Sequence, residues 1–87
     1  MRQEAEHFGE RELNLVYVAR KLRDALRLEE VLTQAGYDYF VEPDQFVSGT
    51  ILKRQRVGAF FYVLPEIEET VRGTMRESGF EPYVHAS

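Results

Sequence analysis

Few residues of this 87-residue chain are of types that carry chemistry, and their spacing narrows the choice further. The two histidines, His7 and His85, sit near opposite ends, and neither begins an H-E-x-x-H pattern or stands beside a carboxylate pair that would hold a metal. Ser48 and Thr50 have no histidine base close in sequence, and turn chemistry accounts for both. Glu29–Glu30 and Glu68–Glu69 are adjacent on expected helices, so each pair diverges instead of sharing a proton. There is no cysteine, which excludes disulfides, thiolate metal ligation and a thiol nucleophile. The sequence therefore leads to no catalytic residue, no metal and no cofactor.

The cations are better placed. Arg20, Lys21 and Arg23, with Arg27 a turn later, form one group, and Lys53, Arg54 and Arg56 form a second. Together they are seven of the eleven Lys and Arg residues in a chain whose net charge is −4. Two functions fit such groups: solvated surface charge, or contacts to an anionic ligand or an acidic partner. Neither G-x-x-x-x-G-K-[ST] nor G-x-G-x-x-G occurs, so no glycine-rich phosphate cradle accompanies them.

The elements that must position these groups can be read from the hydrophobic period. Residues 1–12, with Glu4, Glu6, Glu10 and Glu12, read as a flexible acidic leader, and residues 13–87 as a single domain. Leu13–Ala19 reads as a strand. Leu22, Ala25, Leu26, Val31, Leu32 and Ala35 then fall at helical spacing, and Gly36 closes a helix over Leu22–Ala35. Tyr37–Val41 is a short second strand ended by Glu42-Pro43-Asp44, and 43–56 a long connection, parts of which (Phe46–Val47, Ile51–Leu52) could prolong the flanking strands. Val57–Leu64 is the most strand-like run, apolar on both faces and so expected at the centre of a sheet. Pro65 opens a second helix with Glu66, Glu68 and Glu69 in its first turn, Gly79 ends it, and Phe80–Val84 is a last strand.

The resulting order, βαββαβ, predicts a ferredoxin-like α+β fold: a four-stranded antiparallel sheet of order 4-1-3-2 with two helices on one face. That topology brings Arg20, Lys21 and Arg23 to the same end as Lys53, Arg54 and Arg56. It also leaves one face of the sheet open, with Leu15, Tyr17, Phe60, Phe61 and Tyr62 as the expected interface residues. A second copy is the simplest cover, which predicts a homodimer.

The runs Leu15-Val-Tyr-Val-Ala-Arg, Leu32-x-x-Ala35-Gly36-Tyr37 and Val63-Leu64-Pro65-Glu66 resemble the small bacterial domains classed as prokaryotic signal-transducing proteins, relatives of the PII regulators. The resemblance covers about residues 13–80 and implies the same βαββαβ fold and a regulatory or ligand-sensing role; the basic groups themselves point to a phosphorylated small molecule or a protein as partner. The alternative is an RNA-recognition motif, whose strand aromatics stack on single-stranded bases; Val16-Tyr17-Val18 and Arg56-Val57-Gly58-Ala59-Phe60-Phe61 resemble its two signatures loosely. The acidic net charge disfavours that alternative. With no apolar run of membrane-spanning length and no signal-peptide pattern, a soluble, cytoplasmic protein is expected.

Overall fold

The computed structural model describes residues 1–49 and 54–85. In chain order the elements are a one-turn helix α1 (Ala5–Phe8), strand β1 (Asn14–Ala19), helix α2 (Leu22–Gln34), strands β2 (Phe40–Ser48) and β3 (Arg54–Val63), a 3₁₀ turn at Pro65–Ile67, and helix α3 (Glu68–Glu77). The strands form one three-stranded antiparallel sheet of order β1-β3-β2. The expected four-stranded, two-helix ferredoxin-like fold is thus incorrect, although the apolar Val57–Val63 run does occupy the central strand.

What fails is the fourth strand. The chain from Phe80 to His85 does run beside β1, but it makes a single backbone bond to it, Tyr83 N–H to the Val16 carbonyl at 2.7 Å. Two features prevent a ladder. β1 carries a bulge at Val16, between the Leu15↔Tyr62 and Tyr17↔Phe61 pairs, and a bulge breaks the even spacing of outward groups that a ladder needs. The Arg72 guanidinium then fills the gap, donating to the Tyr83 carbonyl at 2.5 Å and the Leu15 carbonyl at 3.4 Å. Pro82, with its fixed φ and no N–H, further limits the tail.

The second strand also departs from expectation, running through Glu42-Pro43-Asp44 instead of stopping there. β2 and β3 pair without a break from Phe40↔Tyr62 to Ser48↔Arg54. Proline is tolerated because β2 is an edge strand. The backbone of Tyr39 points outward, accepting from Gln3 N–H at 2.8 Å and donating to the Met1 carbonyl at 3.3 Å. Alternation carries that outward direction to Val41, Pro43, Gln45 and Val47. Pro43 has no donor to expose, and the Gln45 N–H is taken by its neighbour's carboxylate, Asp44 Oδ1, at 2.7 Å. The edge is thereby guarded against strand addition.

β1 pairs with β3 only between Ala59 and Val63, so the remainder of β2 and β3 projects past the end of β1 as a two-stranded arm. Both long helices end as the glycines predict. Gly36 (φ 84) and Gly79 (φ 87) adopt the left-handed conformation, and Tyr37 N–H reaches back to Leu32 O and Phe80 N–H to Met75 O, which closes each last turn. The core lies between the sheet and the helices. It contains Val16, Ala19, Tyr39, Val41, Phe61 and Val63 from the sheet side, Ala25, Leu28 and Leu32 from α2, and Val71, Met75 and Phe80 from α3 and its exit.

Residues 1–12 are not the solvated leader expected of them. Arg2 forms a parallel bridge with Tyr39 and contacts Glu29 at 3.3 Å; His7 meets Asp38 at 3.4 Å, Arg11 pairs with Glu66, and Phe8 is only 5% exposed. Among the described residues, no helix is long and apolar enough to cross a membrane.

Candidate functional site

The turn from β1 into α2 is two residues of chain, both cationic. Arg20 leaves the strand, Lys21 is the N-cap of α2 (φ −125, ψ 141) with no side-chain capping bond, and Arg23 follows in the first turn. The first intrahelical bonds are those of Asp24 and Ala25 to the Lys21 carbonyl, so the N–H groups of Leu22 and Arg23 precede the helical ladder. A helix N-terminus carries partial positive charge, and cations placed there are locally unfavourable. Asp24 is the one acidic residue in that turn.

Two concavities flank the turn. One, of about 430 Å³, is lined by Tyr17, Val18, Arg20, Lys21 and Asp24, with Glu81 and Tyr83 of the tail. The other, of about 210 Å³, lies between α2 and the arm and is lined by Arg20, Lys21, Leu22 and Ala25 with Val57 and Gly58. Arg20 and Lys21 border both. The Tyr17 phenol in the first concavity is held above its ordinary pKa, first by burial and then by the charge of Asp24, against the opposing pull of Arg27 and Arg20. It remains a neutral hydrogen-bonding group at physiological pH.

Arg20 is positioned by the arm. Its guanidinium lies over the Phe46 ring, 5.3 Å from the centroid, in cation–π geometry. That ring can lie there because residue 58 is glycine: a Cβ at Gly58 would stand 3.0 Å from the Phe46 ring and 3.0 Å from the Ala19 carbonyl. Phe46 pairs in register with Arg56, whose Nε donates to Ser48 Oγ at 3.2 Å. Arg20 and Arg56 are therefore brought to one aromatic ring. Arg54, two residues nearer the tip, is about 7 Å farther along the strand. Arg27 turns elsewhere, over Phe80 at 4.6 Å and onto the Ser78 carbonyl. Lys53 lies outside the described residues.

The cations of the molecule divide sharply by their partners. Arg2, Arg11 and Arg72 each have a carboxylate, in Glu29, Glu66 and Glu68. Among the described residues, Arg20, Lys21, Arg23, Arg54 and Arg56 take part in no ion pair, and neither do Arg27 on α2 and Arg76 on α3. Groups of three or more His, Asp or Glu that could hold a metal ion are also absent among the described residues.

The expected sheet interface is split between two faces. Leu15, Phe60 and Tyr62 face away from the helices, half-buried, where Tyr62 lies 6.1 Å from Phe40. Phe61 instead is fully buried in the core, and Tyr17 packs against it at 6.4 Å on the helix side. The bulge at Val16 is the reason: one extra residue shifts the parity of β1, so that Leu15 and Tyr17 no longer share a face. The rings of Tyr17 and Phe61 are thus unavailable for stacking on bases, and Glu42 and Asp44 share the open face with Phe40, Phe60 and Tyr62. Sequence reasoning did not find Phe46, Asp24, Glu81, Tyr83, Leu22 or Val57 at this end of the molecule. Only the position of Phe46, opposite Arg56 once the hairpin is recognised, could have been found from the pattern. Set against known family models, curated proteins and solved structures, the chain matches none.

Proposed function

We propose that this protein is a non-catalytic binding module of regulatory type, which takes an anionic group at the end built by Arg20, Lys21 and Arg23, with Arg56 and Arg54 on the arm. The observation that carries the reading is a cluster of cations without carboxylates: among the described residues Arg20, Lys21, Arg23, Arg54 and Arg56 take part in no ion pair, whereas Arg2, Arg11 and Arg72 each do. Arg76 on α3 and Arg27, which turns onto Phe80, also lack one among the described residues but stand outside this cluster. Arginine and lysine left without partners beside two concavities and the positive end of a helix favour an incoming anion. The regulatory character is supported by the resemblance of three sequence runs to signal-transducing domains, and the absence of a nucleophile–base pair in the pattern of residues supports binding over catalysis.

A thermal-shift series tests this, using pyrophosphate, ATP and a hexaglutamate peptide at matched ionic strength. A probe at 100 times its Kd adds about 2.7 kcal/mol, which for a domain of this size raises the midpoint by about 10 °C or more. The expected result is a shift with at least one probe that Arg20→Ala/Lys21→Ala abolishes. No shift with any of the three, or a shift that this variant keeps, would refute the assignment.

A further inference from the structure

Among the described residues, seven large apolar side chains stand exposed: Met1, Tyr83 and Val84 toward the chain ends, and Leu22, Leu26, Val47 and Val57. These last four lie together. Leu22 and Leu26 are one helical turn apart on α2, and Leu22 and Val57 line the same concavity of about 210 Å³. Val47 and Val57 are diagonal neighbours on one side of the arm, since Gln45 pairs with Val57 and Val47 with Gln55. Their exposures are 74% for Leu22, 67% for Val57, 58% for Val47 and 55% for Leu26. Scattered exposed leucines and valines need no explanation, but these four, the exposed large apolar residues away from the chain ends among the described residues, stand on the two elements that form one groove, and Leu22 and Val57 line it.

We propose that this groove, between the first two turns of α2 and the β2–β3 arm, docks an acidic amphipathic segment of another protein. The inference rests on the binding function assigned above and names its partner class. Charge selects the occupant. Lys21 lines the groove and Arg23 lies on the adjoining turn; Arg20 borders the groove with its guanidinium over Phe46 on the arm's other side, and none of the three has an ion-pair partner among the described residues. A second copy would have to bring the same groove, the one place with several exposed apolar side chains among the described residues, and would set Arg20, Lys21 and Arg23 against their own counterparts. A segment with apolar residues at helical spacing and Asp or Glu on its flanks satisfies both the groove and its rim. Gln45 and Gln55, which share the arm's groove side, add polar contacts without opposing charge.

The test is selection from a displayed library of random 12-residue peptides against the full chain, followed by fluorescence anisotropy of the selected peptides. Selected sequences are expected to combine Leu, Ile or Phe at i and i+3 or i+4 with an excess of Asp and Glu. Leu22→Ser/Val57→Ser and, separately, Arg20→Glu/Lys21→Glu should each weaken binding at least tenfold; the substituted side chains are exposed, so circular dichroism should show unchanged folding. No enrichment, or enrichment of basic peptides, would overturn the proposal. Binding lost in Arg20→Glu/Lys21→Glu but kept in Leu22→Ser/Val57→Ser would overturn it while leaving the anion-binding function intact. A concentration-dependent dimer of the free chain, abolished by Leu22→Ser/Val57→Ser, would overturn it as well.

Discussion

Arginine does opposite work at the two ends of this molecule. At one, Arg72 is 7% exposed and fully engaged: its Nε donates to Glu68 at 2.9 Å, and its two terminal nitrogens donate to the Tyr83 and Leu15 carbonyls. It joins α3, the edge of β1 and the tail, and replaces the ladder a fourth strand would have made. At the other end, Arg20 touches only the face of Phe46 and borders two concavities. The difference teaches that satisfaction, more than residue type, separates a structural cation from one with donors left for the proposed anion. A buried guanidinium with each of its three nitrogens donating fixes the fold. Exposed cations with unused donors at a positive helix end are locally unfavourable and gain from an anion that arrives.

The sharpest way to break this comparison is Arg72→Met, which keeps an apolar stem and removes the charge. It should cost about 3 kcal/mol, because it leaves the Glu68 carboxylate with only the Asn14 amide, frees the Tyr83 carbonyl and leaves the Leu15 carbonyl with only the His85 ring at 3.2 Å beside the tail. A urea midpoint checks this; a loss under about 1 kcal/mol would mean that the tail is held by other contacts. Next is Gly58→Ala, whose added methyl must displace the Phe46 ring or the Ala19 carbonyl. About 1–2 kcal/mol of destabilisation is expected, together with weaker anion binding, since Phe46 positions Arg20.

Gly73→Ala should act in the other direction. Nothing lies within 4 Å of the added methyl, so helix α3 gains about 0.5–1 kcal/mol, visible as a rise of several degrees in the thermal midpoint. Smallest is the response to pH. The Asn14 amide at 2.6 Å, and then Arg72, hold the Glu68 carboxyl below its ordinary pKa. A folded-state pKa below the unfolded value means stability that is complete above about pH 4.3 and is lost as pH falls through the folded value. Glu68→Gln should therefore lose less stability than the unmodified protein between pH 6 and pH 3. Equal slopes would show that the pair does not contribute.

Much of the architecture can be read from residue patterns, and the exceptions have physical causes. The period of Leu22, Ala25, Leu28 and Leu32 marks α2, and the unbroken apolar run at Val57–Val63 marks the central strand. The bulge at Val16 carries no glycine or other marker, so the side on which Tyr17 falls could not be read from alternation. Pro43 signals a turn unless the strand is known to be an edge whose outer donors are dispensable, and that depends on sheet order. Phe80–Val84 has strand composition, but Arg72, eleven residues before Tyr83, occupies the hydrogen-bonding gap. The Glu68–Arg72 pair, by contrast, stands at i,i+4 in the sequence and was open to prediction. At the site, the convergence of Arg20 and Arg56 follows from the hairpin, while Leu22 and Val57 look like ordinary core residues until the arm is seen to outrun β1.

The central claim is most directly tested by measuring the thermal midpoint of Arg20→Ala/Lys21→Ala with and without the hexaglutamate peptide, beside the same measurement on Arg72→Met. The account predicts that the first variant melts like the unmodified protein and has lost the peptide's stabilisation, whereas the second melts far lower and keeps it. If Arg20→Ala/Lys21→Ala instead unfolded early, or still responded to the peptide, the two ends of the molecule would not divide their work as described here.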